Sequence, residues 1–289
     1  MIKKMVLSLA ALIVLLLPAQ APATPLVFQA AGPNAAAIQS AVDAYRTQQG
    51  ALNPNVAGSF GSGRREINWD GVPNNLAAPN NLPANFFNAN SPRGVVFSTP
   101  GTGFQVSANA GVAPIEFDNL NPTYSSIFTP FSAQRLFTAV GSNILDIAFF
   151  VPGSNTPAFV TGFGAIFTDV DLADSTLIEY FDLSDNLVFS RFVPASPGNG
   201  SLSFLGTFFN GGERIGRVRI TSGNSALGPN DGGGIDIVAM DDFLYGEPQA
   251  VPEPATLLLF GSGVAGLAAR LRRQWRRKSK PGINTELDV

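Results

Sequence analysis

The sequence predicts an all-β protein, an antiparallel β-sandwich of jelly-roll type with a short N-terminal helix. About ten short apolar segments recur through residues 93–248, and no long helical period separates them. The chain contains 30 Gly and 22 Pro, many of them in turn sequences between those segments. Its hydrophobic content of 45%, with 23 Phe, is enough for a packed core. Short strands joined by turns and closed over an aromatic core are the simplest structure with these properties.

Residues 1–23 (MIKKMVLSLAALIVLLLPAQAPA) have the three parts of a secretory signal peptide. Lys3 and Lys4 come first, the apolar run 5–17 follows, and small residues come last. The apolar run is short for a membrane span, and cleavage before Thr24 is the expected processing step. The sequence therefore predicts a signal helix and export from the cytoplasm.

The sequence of residues 24–92 predicts a helix followed by a long ordered loop. In the segment Asn34 to Arg46, apolar residues recur at helical spacing and Asn34 can cap the first turn. The Gly-, Asn- and Pro-rich run 68–91 has no usable period. We expect this loop to be held against the domain by its aromatic residues, which are Trp69, Phe86 and Phe87.

The sequence of residues 93–248 predicts the β-sandwich domain. Alternation of period two is clear in Phe163, Ala165 and Phe167, and turn sequences such as Ser184-Asp185-Asn186 separate the segments. The predicted strands are 94–98, 104–107, 136–139, 144–150, 162–168, 177–181, 187–192, 201–208, 215–221 and 235–244.

Composition excludes several kinds of chemistry. The chain has no Cys and no His, which removes disulfides, thiolate nucleophiles, Cys-ligated metals and every Ser-His-Asp arrangement. Between Thr24 and Ala250 there are nine basic and eighteen acidic residues, a net charge of −9. Such a surface repels nucleic-acid phosphates and is compatible with hard cations. We expect no nucleic-acid partner and no enzymatic activity.

The sequence of residues 249–289 predicts a C-terminal membrane segment that is removed by processing. Pro252-Glu253-Pro254 precedes an apolar helix over 255–271, and a basic tail occupies 270–280. The apolar run spans a bilayer only if the flanking arginines snorkel, and its basic end marks the cytoplasmic side. The acidic domain is therefore expected to face outward.

The order of these three parts resembles the PEP-CTERM sorting signal of Gram-negative bacteria. That resemblance implies recognition of Pro252, Glu253 and Pro254 by an exosortase, transient residence in the inner membrane, and delivery to the envelope, cell surface or exterior. The segments GRREINWDGVP, FVTGFGAIFTDVD and IVAMDDFLYGEP are similar to an extracellular domain often joined to this tail. The second resemblance implies export and an all-β fold, but no activity.

Clustered carboxylates make the β domain a candidate for calcium binding, because Ca²⁺ prefers several carboxylate and carbonyl oxygens from loops. We take Asp169, Asp171, Asp241 and Asp242 as candidate ligands. Asp241 and Asp242 adjoin on a predicted strand, so they are expected on opposite faces, with only one of them in a given site. The alternative is that these residues only solvate turns and cap strand ends. Further acidic residues nearby are Asp174, Asp231 and Asp236.

Two other functions remain open beside a structural or adhesive role in extracellular polysaccharide or biofilm. A calcium-dependent carbohydrate-binding domain is the first alternative, and it needs exposed aromatic platforms. The second is glycoside hydrolysis by a carboxylate pair about 5 to 10 Å apart. In ERIGRVRI, Arg217 and Arg219 share a strand face and are expected to pair with neighbouring carboxylates rather than a ligand. The candidate platforms are Trp69, Tyr124, Tyr180 and Tyr245.

Overall fold

The computed structural model describes residues 25–251. The predicted signal helix, the Pro252–Pro254 motif, the predicted membrane helix 255–271 and the basic tail lie outside the described residues. Within 25–251, no helix has the length and apolar character needed to cross a membrane.

Strands are the main regular structure of the described residues, and the paired strands are antiparallel. The helices are α1 (Ala35–Gln49) and α2 (Phe86–Ala89), with 3-10 turns at Asn74–Leu76, Ile115–Phe117 and Tyr124–Ser126. The strands are β1 (Leu26–Gly32), β2 (Arg64–Ile67), β3 (Val95–Ser98), β4 (Gly103–Val106), β5 (Phe137–Val140), β6 (Ile144–Phe149), β7 (Ala158–Phe159), β8 (Gly162–Thr168), β9 (Leu177–Asp182), β10 (Leu187–Phe192), β11 (Leu202–Phe208), β12 (Ile215–Thr221), β13 (Ala239–Gly246) and β14 (Gln249–Ala250).

Two sheets form the architecture. One has seven strands in the order β1-β11-β8-β13-β5-β4, with β2 also paired to β13. The other has five strands in the order β10-β9-β12-β6-β3, and β14 pairs separately with β7. The main apolar core of the described residues contains side chains from both sheets, as in a β-sandwich. The predicted antiparallel all-β fold is confirmed at this level.

All ten strands predicted between residues 93 and 248 overlap observed ones, whereas the first part of the chain contains strands that were not predicted. β1 pairs with β11 over its whole length, from Leu26 opposite Phe208 to Gly32 opposite Leu202. β2 pairs with β13 although its sequence, RREI, is half basic. The structure thus adds two strands of the large sheet to the predicted helix and loop.

Trp69 lies at the centre of the core. Its ring stacks on Phe137 at 4.1 Å between centroids and 2° between planes, and Phe87 and Phe243 meet it edge-on. The indole Nε1 donates to the carbonyl of Asp241 at 2.8 Å. The loop 68–91 is therefore held by buried aromatic residues, as predicted.

Helix α1 covers the outer face of the seven-stranded sheet. Asn34 caps it by accepting a hydrogen bond from the N–H of Ala37 at 3.2 Å, as the sequence predicts. Its buried face meets residues of β8, β11 and β13, so the central strands of this sheet are covered on both sides. The residues of this contact are Ile38, Val42, Tyr45, Ile166, Leu202, Phe204 and Leu244.

The five-stranded sheet has one solvent-facing side that carries charged side chains. Arg217 and Arg219 both bind Asp146, at 2.5 and 2.9 Å, and Arg217 also binds Asp185. The guanidinium of Arg217 lies 3.7 Å from the ring centroid of Phe181. The predicted pairing with sheet carboxylates is confirmed. Ion pairs at a sheet surface that are partly open to solvent stabilise a fold only modestly.

Candidate functional site

The structure brings two of the four predicted calcium ligands together and adds a third residue. Asp169 and Asp171 lie directly after β8, and Asp231 lies in the Gly-rich loop before β13. One carboxylate oxygen from each of the three lies within 4.8 Å of the others. Two oxygens bound to one Ca²⁺ at 2.3–2.6 Å are at most about 5 Å apart, so this spacing suits a shared cation.

Asp169 is the most unusual member of this group. Its side chain is fully buried, and neither carboxylate oxygen has a hydrogen-bond partner among the described residues. The nearby N–H of Gly200 donates instead to the carbonyl of Ile127 at 2.7 Å. Burial, and then repulsion by Asp171 and other neighbouring carboxylates, raises the pKa of Asp169 to about 8. Its backbone also has a left-handed φ of 70°.

The other two carboxylates are oriented by backbone donors. The N–H of Gly198 donates to Oδ1 of Asp171 at 2.7 Å, and the N–H of Ile237 donates to Oδ1 of Asp231 at 3.1 Å. Each of these bonds occupies one carboxylate oxygen. The second oxygen of each residue has no partner among the described residues.

Asp236 supports the group from behind. It is fully buried and accepts hydrogen bonds from the N–H groups of Asp171, at 3.0 Å, and Leu172, at 3.4 Å, and from the hydroxyl of Ser175. Burial raises its pKa, and these donors oppose the rise. Asp236 thus fixes the chain that carries Asp171. Asp174 is exposed in the same loop and lies outside the group.

Asp241 and Asp242 do not point to opposite faces, so that prediction is wrong. Between Met240 and Phe243 the pairing with β8 shifts, and both Asp residues oppose the single residue Ile166. Such a β-bulge breaks the alternation of side chains. As a result, Ser132 Oγ lies 3.2 Å from Oδ1 of Asp241 and 2.8 Å from Oδ1 of Asp242.

This Asp pair has its own protein partners. Oδ2 of Asp241 accepts from the N–H groups of Phe131, at 2.5 Å, and Ser132, at 3.2 Å, and Arg46 lies 3.4 Å from Asp242. Burial, and then the neighbouring charge of Asp242, raises the pKa of Asp241 well above its usual value. Burial also raises the pKa of Asp242. Hydrogen bonds and the contact with Arg46 therefore give this pair its partners, and it lies outside the group formed by Asp169 and Asp171.

Positive charge is found elsewhere in the domain. Among residues 25–251, no arginine forms an ion pair with the Asp169 group or with Asp236. Five arginines bind other carboxylates, and they are Arg46, Arg64, Arg65, Arg217 and Arg219. The others bind neutral groups: Arg135 binds Asn74 and the Ser107 carbonyl, Arg93 binds the Glu66 carbonyl, Arg191 binds Gln29, and Arg214 lies over the ring of Phe159. A positive partner for this group would therefore have to come from outside the described residues.

The four predicted aromatic platforms are all buried, so that prediction is wrong. Each uses its polar atom inside the domain by donating to a backbone carbonyl at 2.8 to 3.0 Å. The pairs are Trp69 with Asp241, Tyr124 with Pro229, Tyr180 with Phe163, and Tyr245 with Arg93. A core position uses both the apolar ring and the polar tip of such residues, which explains their burial.

Comparison with known proteins identifies the tail. A search of curated proteins returned no significant match. Residues 250–273 match the family described as a PEP-CTERM protein-sorting motif. This match begins at the last residue of β14 and includes the predicted residues Pro252, Glu253 and Pro254. The chain therefore carries a PEP-CTERM protein-sorting motif, which implies export toward the cell envelope and sorting by exosortase.

Proposed function

We propose that this chain is a non-catalytic protein of the cell surface or extracellular matrix, with a structural or adhesive role in extracellular polysaccharide or biofilm. The observation that carries the proposal is the sorting motif at 250–273, directly after a folded β domain. An N-terminal signal peptide at 1–23 agrees with it. In this proposal the predicted helix 255–271 holds the protein in the inner membrane until exosortase acts.

Burial of the candidate acid and base groups supports a non-catalytic role. Asp169, Asp241 and Asp242 are at most 2% exposed. A carboxyl group that is closed off from solvent cannot reach a glycosidic bond, and glycoside hydrolysis needs two that can. The absence of His and Cys from the sequence removes the other common nucleophile and base pairs.

The alternative of a calcium-dependent carbohydrate-binding domain rests on the acidic group alone. The exposed aromatic platforms that carbohydrate binding needs are unsupported, because the four candidate residues are buried in the domain. A glycan array probed with and without chelator separates the two functions. Binding that chelator abolishes would favour the alternative, whereas surface display without glycan binding would favour the structural role.

The mass of the mature protein from the producing cell tests sorting directly. We expect the wild-type chain to lose both terminal helices. A variant with Pro252, Glu253 and Pro254 changed to Ala should retain the C-terminal one, because the processing enzyme no longer recognises its substrate. A matched control replaces Pro281 and Glu286, residues of the same types beyond the motif, and should be processed like wild type. Equal masses for wild type and the motif variant would contradict exosortase processing.

A further inference from the structure

The Asp169 group has buried carboxyl oxygens that no described residue partners. A buried carboxylate normally has hydrogen bonds or a cation, because removal from water without compensation is costly. Asp169 is fully buried and has neither. One of its oxygens lies within 4.8 Å of an oxygen of Asp171 and of an oxygen of Asp231, and ionised carboxylates at this spacing repel one another unless a cation lies between them.

The surrounding contacts orient the carboxylates without neutralising them. One oxygen of Asp171 and one of Asp231 accept backbone N–H groups, which leaves the second oxygen of each free. Asp169 offers both oxygens. Asp236 holds the Asp171 segment through two N–H groups. The result is a set of at least four unused oxygens on a supported backbone.

The kind of cation follows from the ligand atoms. Only oxygen atoms are available, since the chain has no His or Cys, and this excludes the usual transition-metal sites. The ligands come from two loops, one of which contains the run Gly232–Gly234. Loop ligands of variable geometry suit Ca²⁺, whereas Mg²⁺ requires a near-ideal octahedron.

We propose that Asp169, Asp171 and Asp231 form a calcium site that joins the loop after β8 to the loop before β13. The site goes beyond the proposed function, because sorting does not require it. It is a structural site, in which the ion neutralises Asp169 and fixes the exposed Gly-rich loop at this end of the sandwich. Loop-based sites of extracellular modules have dissociation constants of roughly 10⁻⁴ to 10⁻³ M, and we expect this range.

Thermal unfolding and calorimetry of the full-length chain in mild detergent test the site. After removal of bound ions with chelator, 10 mM CaCl₂ should raise the wild-type Tm by about 3–6 °C, and calorimetry should show saturable Ca²⁺ binding. Asp171→Asn and Asp231→Asn keep the acceptor for their backbone N–H groups but lose a charge. Each should weaken Ca²⁺ binding at least tenfold. Asp174→Asn, an exposed change in the same loop, should bind like wild type.

Asp169→Asn distinguishes a lost site from a damaged fold. Without Ca²⁺ it should melt at or above the wild-type temperature, because an amide of the same shape replaces a buried carboxyl group that has no hydrogen-bond partner. Ca²⁺ should no longer raise its Tm. Hydrogen exchange should slow in residues 228–236 when Ca²⁺ binds wild type, and not in Asp231→Asn. The proposal is overturned if wild type shows no heat and no Tm rise. It is also overturned if Asp231→Asn responds like wild type, or if MgCl₂ gives the same rise as CaCl₂.

Discussion

At the residue scale, buried carboxyl groups show where local sequence rules hold and where they fail. Alternation along a strand predicts that Asp241 and Asp242 diverge, yet a bulge opposite Ile166 turns both toward Ser132. A bulge depends on the pairing of two distant strands, so the dipeptide alone cannot reveal it. The acidic character of both residues was visible in the sequence, but the burial that raises their pKa values and their contact with Arg46 were not.

Glu116 gives a pH-dependent prediction at this scale. It lies half-buried in the Ile115–Phe117 turn, and burial raises its pKa to about 7. The folded protein therefore holds a proton that the unfolded chain releases near pH 4.5. The contribution of this group to stability must fall as pH rises between about 4.5 and 7.

Glu116→Gln should remove this part of the pH dependence. We expect the variant to exceed wild type in stability at pH 8, by on the order of 1 kcal/mol after allowance for solvent screening, and to differ little at pH 4.5. Urea unfolding at both pH values gives the difference. Other raised carboxyl groups affect both proteins equally, so the comparison isolates Glu116. If the stability difference between the variant and wild type is the same at both pH values, the raised pKa of Glu116 is contradicted.

At the element scale, helix α1 depends on two glycines of neighbouring strands. Gly164 and Gly206 are paired on β8 and β11, and the Tyr45 ring lies over both. A Cβ atom added at Gly206 would approach the Tyr45 ring and the tip of Phe204 to 2.9 Å. The period of α1 was readable from the sequence. Its packing partner was not, because the flat surface under Tyr45 is formed only when β8 and β11 pair.

Gly206→Ala should therefore loosen the packing of the helix on the sheet. We expect a loss of about 1–3 kcal/mol in the free energy of unfolding, because an added methyl group in a packed core forces side chains and backbone to shift. Gly61→Ala is the matched control, because a Cβ at Gly61 meets nothing within 4 Å. That control should stay within about 0.5 kcal/mol of wild type. Equal effects of the two changes in chemical denaturation would refute close packing at Gly206.

The same reasoning explains how far the candidate site was predictable. The sequence predicts strands at both β8 and β13, and Asp169 and Asp171, two of the candidate ligands, directly follow the first of these strands. Antiparallel pairing, with Ala239 opposite Thr168, brings the loop before β13 beside them and so adds Asp231. Strand identity is a local property of the sequence. Strand pairing is not, and the third ligand depends on pairing.

At the scale of the whole molecule, one buried ion pair joins distant parts of the domain. Arg65 on β2 and Glu247 after β13 form two hydrogen bonds of 2.7 and 2.8 Å, and both side chains are at most 1% exposed. Arg65 also donates to the carbonyls of Pro54, Gly58 and Pro92, while Glu247 accepts from Asn53 and from the N–H of Phe60. This network fixes the loop after α1 to the chain shortly before the sorting motif.

Removal of one charge from this network should strongly destabilise the folded domain. Glu247→Gln leaves Arg65 buried without its counter-ion, and we expect a loss of about 3–5 kcal/mol in the free energy of unfolding. Glu213→Gln, whose side chain accepts only the N–H of Gly211 at the surface, should change stability by less than about 0.5 kcal/mol. Urea denaturation followed by circular dichroism measures both.

The double change Arg65→Met with Glu247→Leu tests whether the network or the ion pair alone matters. Apolar replacement of a simple buried pair is often neutral or stabilising. Here it would also leave the carbonyls of Pro54, Gly58 and Pro92 without their donor, and each unsatisfied buried acceptor costs about 1–3 kcal/mol. We therefore expect the double variant to remain well below wild type in stability. If the double variant is as stable as wild type, water must replace Arg65 as the donor to those carbonyls. The role of Arg65 would then be only to neutralise Glu247.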